Sequence, residues 1–142
     1  MDEIPKKEKR SGHRTQWTAQ FAVASELCKR GYEISFTMGN ATPLADLMVV
    51  SPKLKKMFLI DVKGLYRPNP WVVKRKAVRD GLYFVFAFVP DDSNNRFFIL
   101  SQKQVNDYIE QELTRLDRPN DYPMTGIFTI WELFSGTLVI GP

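Results

Sequence analysis

Cysteine and histidine are almost missing: the 142 residues contain one of each, Cys28 and His13. A single cysteine excludes an intramolecular disulfide framework and any cysteine-rich zinc site. A single histidine, placed in a basic N-terminal stretch, removes the usual materials for His-ligated zinc and for a Ser-His-Asp relay. Long apolar runs are missing too, none approaching the ~18 residues of a membrane helix, so no membrane partner is expected. The first residues, "MDEIPKKEKRSGHR", are charged throughout and carry no apolar secretory core, which makes the cytoplasm the expected compartment. Internal repeats and low-complexity tracts are also absent. Chemistry in such a chain has to run on carboxylates, lysine and an oxygen-ligated metal such as Mg²⁺.

What is present belongs to a globular protein: 44% hydrophobic, 13% aromatic and 25% charged residues. The length suits one domain that buries roughly two-thirds of its unfolded surface. A formal charge of +4 and a pI near 9.2 lean toward a polyanionic partner. Residues 1–14 read as a flexible basic arm carrying Lys6, Lys7, Lys9, Arg10 and Arg14, either a solvated tail or a DNA-contacting one, and residues 15–142 as the folded domain.

From Gln16 to Arg30 the apolar positions Trp17, Phe21, Ala24 and Cys28 recur at helical spacing, with Gly31 as the stop. "YEISFTMGN", "ADLMVVSP" and "MFLIDVKG" read as three strands. Residues 65–81, with two prolines, Trp71 and many bases, read as a loop followed by a short helix. "LYFVFAFVP" and "RFFILS" are two more strands about the turn "DDSNN", in which Asp91 and Asp92 are turn residues. Ser101 and Gln104 form a capping-box pattern for a helix whose buried face is Val105, Tyr108, Ile109, Leu113 and Leu116. The expected fold class is therefore α/β or α+β, a central mixed sheet of about five strands flanked by helices. The apolar tail from Tyr122 has a mixed period, and its Trp131 and Phe134 fit either the core or a dimer surface.

Pairing the second and third strands about the Lys53-Leu54 turn sets Asp46 opposite Asp61, with Lys63 on the same face. A one-residue slip would send Asp46 to the other face. Two adjacent carboxylates at the end of an apolar hairpin repel unless a cation lies between them. That cation is either Lys63, in a plain ion pair that trims the strand end, or Mg²⁺ held by Asp46, Asp61 and a backbone carbonyl, that of Val62. In the second case Lys63 would lower the pKa of an attacking water or neutralise a substrate phosphate.

Asp46, fourteen intervening residues, then Asp61-Val62-Lys63, after a helix ending "ELCKRGYEIS", resembles the PD-(D/E)xK nuclease superfamily with its restriction-endonuclease-like fold. Within it, "GNATPLADLMVV" followed by "LIDVKG" is most similar to the small Holliday-junction-resolvase-like and homing-endonuclease-like branch. The resemblance implies that Asp46 and Asp61 ligate Mg²⁺, with Mn²⁺ as a substitute, and that Lys63 assists the water. Two departures stand out. Ala45 takes the place of the family's proline before Asp46, and Gln20 falls where many members carry a helix-one glutamate. Glu26 does not replace that glutamate, since it lies ~180° around the helix from Trp17. A neutral Gln20 suits an accessory role in catalysis, and equally suits a module that has lost it.

Arg67, Lys74, Arg75, Lys76 and Arg79 follow the hairpin, interleaved with Tyr66 and Trp71. They form either a phosphate-binding surface or a solvated helix face, and Trp71 favours the core. The expected function is a Mg²⁺-dependent endonuclease acting on duplex or branched DNA, with a homodimer as one way to cut two strands and RNA left open as substrate. The alternative is a nuclease-fold module that binds nucleic acid or a protein without cutting.

Overall fold

Ser11 starts the first helix: its hydroxyl accepts the Arg14 N–H at 3.2 Å, and helix α1 runs Gly12–Lys29. The computed structural model describes residues 9–37, 45–115 and 127–130. Residues 12–14, expected in the arm, thus belong to the helix. Arg10 is docked, donating to Val89 O at 2.8 Å and pairing with Asp91 at 2.6 Å. Asp91 is therefore more than a turn residue, while Lys6 and Lys7 lie outside the described residues. At the other end Gly31 takes φ 94°, and the Gly31 and Tyr32 N–H groups donate back to Cys28 O and Leu27 O at 3.1 Å each. This is the glycine-closed stop that the sequence calls for.

The buried face of α1 differs from the expected stripe. Thr15, Ala19, Gln20, Val23 and Ala24 are buried, whereas Phe21 is 58% exposed and Cys28 faces solvent. The true face is turned roughly 120° from the one centred on Trp17. Its cause is steric. A Cβ placed on Gly64 would lie 2.7 Å from the Ala19 Cβ, so the helix sits too close to the sheet there for an aromatic ring to fit between them.

The strands are β1 (Glu33–Phe36), β2 (Leu47–Ser51), β3 (Lys56–Leu65), β4 (Trp71–Lys74), β5 (Leu82–Phe88), β6 (Arg96–Ser101) and β7 (Ile127–Ile130), with helix α2 (Gln102–Arg115) after β6. Five form one sheet in the order β1-β2-β3-β5-β6, with β3 and β5 parallel and the other neighbours antiparallel. The fold is thus α+β, a mixed five-stranded sheet flanked by two helices. On one face Ala19, Val23 and Ala24 of α1 pack on Leu47, Val49, Val62, Val85 and Ala87. On the other, Val105, Ile109 and Leu113 of α2 join Trp71 and Val73 over Phe84, Phe86 and Phe98.

The capping box forms as expected: Ser101 Oγ accepts the Gln104 N–H at 3.1 Å, and Gln104 Oε1 accepts the Ser101 N–H at 2.8 Å. Leu116 falls outside the described residues. The short helix expected after residue 65 is instead β4, which pairs antiparallel with β7 in a separate two-stranded sheet. Trp71-Val72-Val73-Lys74 alternates buried and exposed, and its β-branched centre favours the extended form over a helix that two prolines precede. No described helix is long and apolar enough to cross a membrane.

The Ala19–Gly64 approach gives a direct test. Gly64→Ala should lower stability by roughly 1–3 kcal/mol, the usual cost of forcing an extra methyl into packed space. Adding Ala19→Gly should recover part of that loss, beyond its own helix cost of about 1 kcal/mol. Urea midpoints of the two single variants and the double variant measure it.

Candidate functional site

The site arises because β3 changes partners along its length. Its first half pairs with β2, from Lys56 to Ile60, and its second half with β5, from Leu59 to Leu65. Beyond Ile60 the edge that faced β2 has no strand beside it among the described residues. Residue numbers across β2 and β3 sum to 107 at every pair, from Leu47↔Ile60 to Ser51↔Lys56, which is the expected register. Asp46 stands one residue past the last pair, its N–H donating to Ile60 O at 2.8 Å.

Asp46 turns its carboxylate into the gap. Oδ2 accepts the Val62 N–H at 2.7 Å, a backbone donor that a longer β2 would otherwise take. Oδ1 accepts from Gln20 Nε2 at 3.3 Å, so α1 reaches the same group. On the following turn-half of the strand, Asp61 Oδ1 lies 3.4 Å from Lys63 Nζ, with the two side chains 25% and 44% exposed. Thr37 supports the back of the site: its N–H donates to Asp46 O at 3.1 Å and its hydroxyl to Ala45 O at 2.7 Å. Asp46, Asp61, Lys63, Gln20 and Val62 thus come together at one open end of the hairpin.

Gln16 was not anticipated. Its Nε2 donates to Val62 O at 2.8 Å, which fixes Val62, between Asp61 and Lys63, at its carbonyl while Asp46 holds its N–H. The signal was available: Gln16 and Gln20 are four residues apart, hence on one helix face. It was missed because the helix was phased on its aromatic residues.

Part of the basic cluster is held by α2. Arg67 is exposed, its guanidinium 5.0 Å from the Tyr66 ring centroid. Arg75 pairs with Glu110 at 2.7 Å, and both the N–H and C=O of Lys76 are bound by the Asn106 side chain, so this stretch is fastened to α2. Lys74 and Arg79 are exposed. Trp71 is 2% exposed, in the core, and its Nε1 donates to Lys63 O at 3.2 Å. Trp131 and Phe134 lie outside the described residues.

Burial pushes the Asp46 carboxyl above its ordinary range, opposed by the Val62 N–H and Lys63 and reinforced by the neighbouring Asp61 charge. Two carboxylates so placed, with an amide oxygen and a peptide carbonyl alongside, are hard oxygen donors of the kind Mg²⁺ or Mn²⁺ takes. Among the described residues no group of three or more His, Cys, Asp or Glu side chains converges, so a cation here would draw on Asp46, Asp61 and neutral oxygens. Comparison with known protein families, curated proteins and solved structures returned no match.

The raised Asp46 has a stability consequence. The folded chain keeps this proton to higher pH than the unfolded chain, so folding loses stability as pH climbs from the ordinary carboxylate range through the raised value. Asp46→Asn keeps a carbonyl for the Val62 N–H and removes the charge. In chelator it should melt above wild type at neutral pH, with the difference closing on acidification. A lower melting temperature for the variant at neutral pH would contradict the assignment of strain to this charge.

Proposed function

We propose that the chain is a divalent-cation-dependent phosphodiesterase acting on nucleic acid, DNA above all, and a divergent relative of the PD-(D/E)xK nucleases. The observation that carries the reading is the Asp46–Asp61 pair at the open end of β2 and β3, with Lys63 3.4 Å from Asp61. Asp46, Asp61 and the Val62 carbonyl would hold the cation, which when bound supplies charge stabilisation at the phosphate and lowers the pKa of water. Lys63, half exposed, reaches solvent beside Asp61, where its ammonium can neutralise a phosphate oxygen or hold a nucleophilic water. Gln20 and Gln16 keep Asp46 and the Val62 peptide oriented from the helix side.

A second reading rests on the same glutamine. Gln20 donates to Asp46 where an acid would supply another charge, and with the Val62 N–H it satisfies Asp46 without a cation. That arrangement also suits a module that binds nucleic acid and does not cut it.

Supercoiled plasmid, linear duplex, four-way junction and RNA, each incubated with Mg²⁺, Mn²⁺ or chelator, separate the two. The hydrolase reading predicts cation-dependent nicks, lost by a factor of roughly 10² or more in Asp61→Ala and Lys63→Ala. Intact substrates throughout, with salt-sensitive binding, would select the binding module. Equal cutting by Asp61→Ala would remove this site from the chemistry.

A further inference from the structure

The outer flank of α1 carries two rings, Trp17 and Phe21, outside both core clusters, and they meet Phe36 of β1 at the edge of the core. Trp17 and Phe21 stack at 5.7 Å between centroids with 26° between their planes, and Phe21 meets Phe36 of β1 at 5.4 Å. The Trp17 indole is fixed in turn by its Nε1–H, which donates to His13 Nε2 at 3.2 Å. Phe21 nonetheless remains 58% exposed. A ring needed only to hold α1 on β1 would gain more by burial, since full burial of a phenylalanine is worth about 1.5–3 kcal/mol.

Each ring is next in sequence to a residue that holds the carboxylate site. Phe21 follows Gln20, which bonds Asp46, and Trp17 follows Gln16, which bonds Val62 O. Phe36 precedes Thr37, whose N–H and hydroxyl hold Asp46 O and Ala45 O. Its charge suits a polyanion: α1 has no acidic residue before Glu26, and Arg14, exposed, lies one turn before Thr18 on the flank beside Trp17 and Phe21. Phe21 is exposed, Trp17 and Phe36 are half-buried, and the planes of Phe21 and Phe36 meet at 58°; a solvent-facing ring flanked by further rings and a cationic group is a surface on which proteins stack unpaired bases irrespective of sequence.

We infer that Trp17, Phe21 and Phe36 form a stacking platform for an unpaired nucleic-acid strand, whose backbone then passes the Asp46–Asp61 site. The inference rests on the nucleic-acid reading above and narrows its substrate to strands with unpaired bases: single strands, flaps or opened junctions. DNA and RNA share this chemistry, because every base offers a ring face.

The test uses the full chain in the Asp61→Ala background with chelator, so binding is read without cutting. Fluorescence anisotropy follows labelled oligothymidine, oligouridine and a blunt duplex of the same length. Phe21→Leu keeps apolar bulk against Phe36 and removes the ring face, and Phe21→Tyr keeps both. The platform predicts that Phe21→Leu weakens single-strand binding about tenfold while duplex binding changes less than about twofold, and that Phe21→Tyr binds as the parent does. The oligothymidine and oligouridine arms tell which strand is preferred. Unchanged single-strand binding in Phe21→Leu, or an equal loss on single strand and duplex, would overturn the inference. Absence of nicks in the plasmid assay would leave it standing, so the two readings fail separately.

Discussion

The contact between Ala19 and Gly64 is the constraint from which the rest of the site follows. With no side chain on Gly64, α1 comes down on β3 until the Ala19 methyl fills the space where a Cβ would sit. Interior packing is dense enough that a single methyl is felt, so this approach sets the height of the helix above the sheet. That height puts Gln16 within reach of Val62 O and Gln20 within reach of Asp46. A helix lifted by one methyl would leave both amides short of their partners.

The second constraint is the mismatch in strand length. Because β2 ends at Leu47 while β3 continues to Leu65, the Val62 N–H and C=O on the β2 side meet no strand among the described residues. Exposed edge groups of this kind usually find a partner, and here side chains supply it. The Asp46 carboxylate closes one and the Gln16 amide the other. Holding Asp46 there sets it beside Asp61, a like charge, in a half-buried place that already disfavours ionisation. Charge is thus kept at some cost in stability, and a carboxyl perturbed by burial beside a second carboxylate is a feature more common at functional sites than elsewhere.

The hairpin was legible in the sequence because its information is local. A symmetric turn between "ADLMVV" and "MFLIDVKG" gives the observed register, in which Leu47, Val49, Ile60 and Val62 are buried together, while the one-residue slip stayed open until the strands were seen paired. The capping box and the Gly31 stop were legible for the same reason. The phase of α1 was not, since apolar size points to Trp17 and Phe21 while the sheet selects small residues at the point of closest approach. That choice depends on Gly64, 45 positions after Ala19, and no helical pattern contains it. β4 was illegible for a similar reason: its partner β7 begins at Ile127, beyond α2, so a four-residue strand followed by several bases had no visible mate. Gln20 was found through the position of the helix-one acid in the family it resembles, and Gln16 was lost with the helix phase.

On the proposed reading, Asp46 and Asp61 are held together so that one divalent cation relieves their repulsion. Titration of Mn²⁺ into the chain, followed by electron paramagnetic resonance of the free ion, measures it directly and requires no substrate. The predicted result is one ion bound per chain, competed by Mg²⁺ and lost in Asp46→Ala and in Asp61→Ala. Binding that is absent, or that survives both substitutions, would contradict it and leave Lys63 as the only cation the hairpin was built to meet.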